Sequence, residues 1–207
     1  MLPADRIQDY VSTIDLFSTL LTLAGIRVSH IAAGGLEVTA LPAGGGESQF
    51  QLPYELPSDS IRLEVSAVGQ AMAFPLRLKE TAPAVLMDRE GTPFVLDAES
   101  GVAIDAMNPL LGGMKIQILA TGLGRVTPDW PAGVPAPDTD TPRVVAKVSV
   151  KIDGIELGDV EAKLAPGYTG FYLIEGRLPA MMDAGAGELR VEAGGNQSGP
   201  VRVYIGR

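Results

Sequence analysis

The sequence predicts an all-β chain built as two tandem immunoglobulin-like β-sandwiches, and three observations carry that prediction. Apolar and polar residues alternate through many short segments, as strands with one buried face require. Twenty-five Gly and sixteen Pro are scattered along the 207 residues without a fixed short period. They supply the turns of such strands and are incompatible with a helical bundle. The third observation is a block order in the first half that recurs in the second.

Taken along the chain, Gln8 to Leu23 carries the β-prone Val11, Thr13, Ile14, Phe17 and Thr19, and it reads as a strand although its spacing also fits an amphipathic helix. Ile61, Leu63 and Val65 then alternate with Arg62, Glu64 and Ser66. Thr81 to Gly113, with its Asp-Arg-Glu, Asp-Ala-Glu-Ser and Asn-Pro segments, reads as a connector holding one short hairpin, Thr92 to Leu96 with Val102 to Ala106. Met114, Ile116 and Ile118 alternate with Lys115 and Gln117. Val148, Val150 and Ile152 alternate with Lys147, Ser149 and Lys151, and Val201, Val203 and Ile205 with Arg202 and Tyr204. Between the VSVKI and IEL segments sits Asp153-Gly154, the pair best suited to a two-residue turn that needs positive φ, so a hairpin is expected there.

The repeat is visible by comparing halves. Phe50-Gln-Leu-Pro-Tyr-Glu-Leu-Pro57 leads to Ile61-Arg-Leu-Glu64 and then Pro75-Leu-Arg-Leu78; Tyr172-Leu-Ile-Glu-Gly-Arg-Leu-Pro179 leads to Leu189-Arg-Val-Glu192 and then Pro200-Val-Arg-Val203. A shared strand order implies two units, each closing its own core at roughly 80 to 100 residues. The expected division is 1–80 for the first sandwich, 81–113 for the connector and 114–207 for the second sandwich.

Four blocks resemble a known family. Asn108-Pro109 with Gly112-Gly-Met-Lys-Ile-Gln-Ile-Leu-Ala-Thr-Gly-Leu-Gly124, Gln49 to Pro57, Thr81-Ala-Pro83, and Leu164-Ala-Pro-Gly-Tyr-Thr-Gly-Phe-Tyr172 are similar in order and spacing to a C-terminal domain family of uncharacterised secreted acidobacterial proteins. Its halves in turn resemble the immunoglobulin-like IPT/TIG modules of plexins and transcription factors, whose opening strand V-x-I-x-x-x-x-L is matched by Ile116 to Leu123. Ile14 to Leu21 matches that opening without the Gly before its final Leu. The resemblance implies an exported, non-enzymatic module, found in the periplasm, on the cell surface or secreted, and it carries over no catalytic residue.

Composition narrows function further. A formal charge of -9 opposes a phosphate backbone, and Lys and Arg stand singly, so nucleic acid is not an expected partner. With no Cys there are no disulfides, thiolate metal sites or cysteine nucleophiles. The run Leu16 to Ile26 holds eleven uncharged residues, too few for a bilayer of about 30 Å, and no basic lead or small-residue cleavage site accompanies it.

Candidate chemistry is sparse. His30 is the single histidine, so a triad or a histidine metal site would rest on it alone; its strand-like setting favours a place on a strand surface. Carboxylates gather at Asp88, Glu90, Asp97 and Glu99, at Asp138 and Asp140, and at Asp153, Glu156 and Asp159. None fits the Asp-x-Asp-x-Asp-Gly calcium loop, and solvated turns are the better reading. No cofactor and no metal site are expected.

The loop Thr127 to Pro142 carries five prolines and the single tryptophan. Trp130 is read either as a contact residue, for sugar stacking or as an interface anchor, or as a cap on the open end of the sandwich. Pro166-Gly-Tyr-Thr-Gly-Phe-Tyr172 places Tyr168 and Phe171 beside two glycines, and alternation turns Tyr172 and Ile174 inward. Trp130, Tyr168 and Phe171 are therefore the candidate binding residues. The expected partner is a protein, with carbohydrate the alternative; association with a larger envelope assembly, peripheral to a membrane, is the third reading.

Overall fold

The computed structural model describes residues 20–24, 30–38, 40–41, 47–56, 60–67, 70–88 and 90–206. The first half holds β1 (Leu20–Ala24), β2 (His30–Ala33), β3 (Leu36–Glu37), β4 (Ala40–Leu41), β5 (Glu47–Gln51), β6 (Ser60–Ala67) and β7 (Gln70–Arg77). After them come β8 (Ala84–Val85), β9 (Val95–Asp97), β10 (Lys115–Thr121), β11 (Val126–Thr127), β12 (Arg143–Val144) and β13 (Val148–Ile152). The chain ends through β14 (Ile155–Glu156), β15 (Gly158–Leu164), β16 (Tyr172–Arg177), β17 (Gly185–Ala193), β18 (Asn196–Gln197) and β19 (Val201–Ile205). Of the strand expected over Gln8 to Leu23, Leu20–Leu23 lies in β1 and the rest falls outside the described residues.

One strand order occurs twice. In the first half β1-β5-β4 forms one sheet and β3-β2-β6-β7 another; in the second half β10-β16-β15 and β14-β13-β17 with β19 repeat the same neighbours. Every ladder between named strands is antiparallel. Lettered in chain order, both halves are B-E-D against C′-C-F-G, the two-sheet arrangement of an immunoglobulin fold. The all-β, immunoglobulin-like sandwich expected from the alternation is what the chain forms.

Each pair of sheets closes its own apolar cluster. Ile31, Ala33, Phe50, Leu52, Leu63, Val65 and Leu76 belong to the first core. Ile116, Ile118, Val150, Ile152, Tyr172, Ile174, Leu189 and Val203 belong to the second. Alternation translates directly into burial, with Ile61, Leu63 and Val65 buried between exposed Arg62 and Glu64, and Val201, Val203 and Ile205 between exposed Arg202 and Tyr204.

The Asp153-Gly154 hairpin forms as expected, with Ile152 opposite Ile155 and φ of 50° and 79° at the turn. Gly34-Gly35 makes the matching turn in the first half, closing Ala33 against Leu36. This anchors the repeat independently of the sequence blocks. Ala33 faces Leu63 and Ile152 faces Leu189, so the register equates Leu63 with Leu189, whereas the sequence blocks equate Ile61 with Leu189. The difference is two residues, an even number, so the same faces stay buried under either alignment.

Thr81 to Gly113, expected as a connector, contributes sheet structure. β8 pairs Ala120 and Thr121 of β10, β9 pairs Ile116 to Ile118 of the same strand, and together they occupy the A-strand edge of the second half. The hairpin expected inside it is present, Leu96 bridging Ala103. Its turns are built by aspartates. Asp88 accepts the amides of Thr92 and Glu90, Asp97 accepts the Ser100 hydroxyl and the Glu99 amide, and Asp105 accepts the amides of Asn108 and Met107.

Those bonds favour the charged form and hold all three carboxyls below their ordinary range. A group depressed on folding stabilises the fold above its unfolded value near about pH 4, and the stabilisation is lost as pH falls through the folded value. The expected result is a urea midpoint that is flat from neutrality to about pH 5 and falls below about pH 4. The Asp105→Ala variant should show a shallower acid fall and faster exchange of the Met107 and Asn108 amides. An acid limb as steep as wild type would assign it to other groups. No helix among the described residues is long and apolar enough to cross a membrane.

Candidate contact surface

The Pro-rich loop leaves β11 and returns at β12, and it is stitched to the turn that precedes β16. The Ala136 amide donates to the Tyr168 carbonyl at 2.9 Å, the Gly167 amide to the Ala136 carbonyl at 2.9 Å, and the Leu164 amide to the Pro142 carbonyl at 2.9 Å. Ala136 is itself buried in the second core. Backbone bonds thus hold the loop at its middle and at its end, which leaves it little conformational freedom.

The three candidate residues take different roles on this frame. Trp130 is half-buried against the second core, and its indole N–H donates to the Val134 carbonyl at 3.2 Å. Tyr168 is 59% exposed. Its ring meets Phe171 edge-on, with centroids 6.2 Å apart and planes at 84°. Tyr172 and Ile174 point into the core with no exposed surface, and Phe171 and Leu173 are half-buried, as alternation requires. The structure thus brings Tyr168 and Phe171 together and packs Trp130, within the loop, against the second core.

Several of the other candidate groups are engaged by local structure. His30 lies exposed on β2, with its Nδ1 3.2 Å from Glu37 Oε1 across the β2–β3 hairpin. Asp153 accepts the Glu188 amide at 2.8 Å. Asp159 sits at a bulge in β15, 3.6 Å from the Arg177 guanidinium. On the outer face of β10, β16 and β15, Glu175 accepts from Gln117 at 2.9 Å with Lys115 and Lys163 nearby, and these hold its carboxyl below the usual range.

Two features were not legible in the sequence. The first is a junction between the halves, where a cleft of about 440 Å³ is lined by Leu52, Tyr54 and Leu78 from one side and by Thr81, Gly124 and Val145 from the other. Beside it the Gly133 amide donates to Gln51 Oε1 at 2.8 Å, and the Tyr54 and Tyr172 hydroxyls meet at 2.9 Å. The second is a group of exposed apolar side chains, Met107, Leu111 and Met181, at the end of the second sandwich away from the Pro-rich loop. Single methionines in turns give no pattern to read.

No protein-family model and no curated protein matches the chain. Among solved structures it is similar to SGBP-B of the Bacteroides ovatus mixed-linkage glucan utilization locus, in complex with a mixed-linkage heptasaccharide, at 13% identity and TM-score 0.34 over 91% of this chain and 40% of that one. It is similar to the I9–I11 tandem of titin at 10% identity and TM-score 0.28, over 91% of this chain and 60% of that one. A third is the C-terminal domain of the Streptococcus agalactiae AgI/II polypeptide BspA, at 13% identity and TM-score 0.22, over 89% of this chain and 83% of that one. The chain spans less than two thirds of the length of the first two. The strand order described above, and not these overlays, carries the fold.

Proposed function

We propose that this chain is a non-catalytic, extracytoplasmic structural or protein-binding module, built of two tandem sandwiches, that meets a protein partner through Tyr168, Phe171 and the Pro-rich loop that carries Trp130. The proposed division keeps residues up to 80 with the first sandwich and begins the second body at the segment that carries β8. The observation that supports the contact surface is Tyr168, a 59% exposed aromatic held edge-on by Phe171 on a turn bonded to the loop. An aromatic that is already fixed gives up little freedom on binding, and buried Tyr and Trp side chains dominate the energetics of many protein interfaces. The resemblance to secreted tandem modules and a place in a larger envelope assembly belong to the same reading.

Carbohydrate is the second reading, favoured by the same exposed ring, since a tyrosine face stacks on a sugar as readily as on a side chain. The immobilised chain, offered extract of its native source, should retain one partner at fixed stoichiometry. The Tyr168→Ala/Phe171→Ala double variant should bind that partner about thirtyfold more weakly. Retention at unchanged affinity would place the contact elsewhere. A shift of Trp130 emission with one member of a polysaccharide panel, lost in the same variant, would move the reading to carbohydrate.

A further inference from the structure

We infer that the Pro-rich loop is also one end of a hydrogen-bonded latch that fixes the two sandwiches relative to each other. The latch is a continuous chain of polar groups. The Gly133 amide donates to Gln51 Oε1 at 2.8 Å, and Gln51 Nε2 donates to the Tyr54 hydroxyl at 3.4 Å. The Tyr54 and Tyr172 hydroxyls are 2.9 Å apart, and Tyr172 donates to the Gly124 carbonyl at 2.6 Å. It starts in the loop, crosses into the first half at Gln51 and Tyr54, and returns to the core of the second half.

The proton order along it is determined. Tyr172 spends its proton on the Gly124 carbonyl, so Tyr54 donates to Tyr172, and the Gln51 amide donates to Tyr54. All donors point one way, and such chains strengthen one another where the surroundings are poorly solvated. Gln51 is only 4% exposed, and Tyr172 has no exposed surface. Separating the halves would strand these groups, because the Gln51 carbonyl oxygen has its bond from the other half, and an unmade buried bond is costly. Burial also pushes the Tyr54 hydroxyl above its usual range, which favours its protonated, donating form.

Nothing here depends on Tyr168 and Phe171 binding a partner. The latch members carry no charge, so the latch is insensitive to salt, unlike an ion-paired hinge. Its position beside the cleft means that Tyr54 and Gly124 both form walls of that cavity. The cleft therefore keeps its shape only while the latch is closed.

The test uses the full chain and two variants. Tyr54→Phe removes one oxygen from a half-buried ring and leaves the packing of the first core in place, whereas Gln51→Ala removes both side-chain bonds. In the wild-type chain, ¹⁵N relaxation should give one tumbling time for residues 31–78 and 85–205, and the Gly133 amide should be protected from exchange. In Gln51→Ala that amide should exchange about tenfold faster. In both variants the two segments should tumble separately and faster. If Gln51→Ala fails to fold, Tyr54→Phe alone decides. Separate tumbling times in wild type, or a Tyr54→Phe chain that tumbles as wild type does, would overturn the inference.

Discussion

Replacing Gly122 by Ala should destabilise the second sandwich by about 3 kcal/mol or more. Gly122 has φ of +76°, and a Cβ there would stand 1.8 Å from the Ala82 carbonyl oxygen. The backbone conformation alone costs an L-residue roughly 1 kcal/mol. The remainder comes from what must move. Ala82 donates its amide to the Gly122 carbonyl at 2.8 Å. The preceding Thr81, 2% exposed, donates its hydroxyl to the Ala193 carbonyl at 2.6 Å and accepts from Asn196 at 3.0 Å. Backing Ala82 away breaks the first bond and pulls on the other two.

Gly154→Ala is the control, because that glycine has φ of +79° and open space where a Cβ would stand. It should lose only the roughly 1 kcal/mol of the backbone term. Urea unfolding followed by Trp130 emission measures both, since Trp130 packs against the second core. Equal losses in the two variants would mean that the close approach of the linker contributes nothing.

Truncation of Ile174 to Ala should cost about 4 kcal/mol, within the roughly 2 to 5 kcal/mol span for buried Ile and Leu. Ile174 has no exposed surface and lies directly opposite Ile118, equally buried, in the β10–β16 ladder. The hole has little chance to close, because both flanking strands are held by partners on their other edges, β8 and β9 beside β10 and β15 beside β16. Leu63→Ala makes the equivalent lesion in the first core, where Leu63 is 1% exposed. Two cores with no shared member predict that each truncation lowers its own transition and spares the other. Calorimetry of both variants reads this directly. A single transition lowered equally by either change would show that the halves unfold as one cooperative body, and that the latch couples them more tightly than their separate cores imply.

What the sequence could carry was local and periodic. Because side chains along a strand alternate faces, the pattern of Ile61 to Ser66 or of Val201 to Ile205 determined which residues are buried without reference to any neighbour. Asp153-Gly154 determined a turn, because few residue pairs tolerate positive φ in succession. The recurring blocks showed that one strand order is used twice, yet they were off by two residues in register, since an even shift leaves the buried face unchanged and so leaves no trace in the pattern. The short β8 and β9 had too few residues to show alternation, and their segment read as a connector until their pairing with β10 placed them in the sheet.

Tertiary structure alone decided the contacts between distant segments. Thr81 meets Ala193 across 112 positions, Tyr54 meets Tyr172 across 118, and Gln51 meets Gly133 across 82. Each joins single polar groups, with no repeat and no spacing rule behind it, and only the folded arrangement of the halves creates the proximity. The sandwich architecture followed from a periodicity that every strand repeats; the contacts between the two halves rest on single side chains whose partners exist only once the chain has folded.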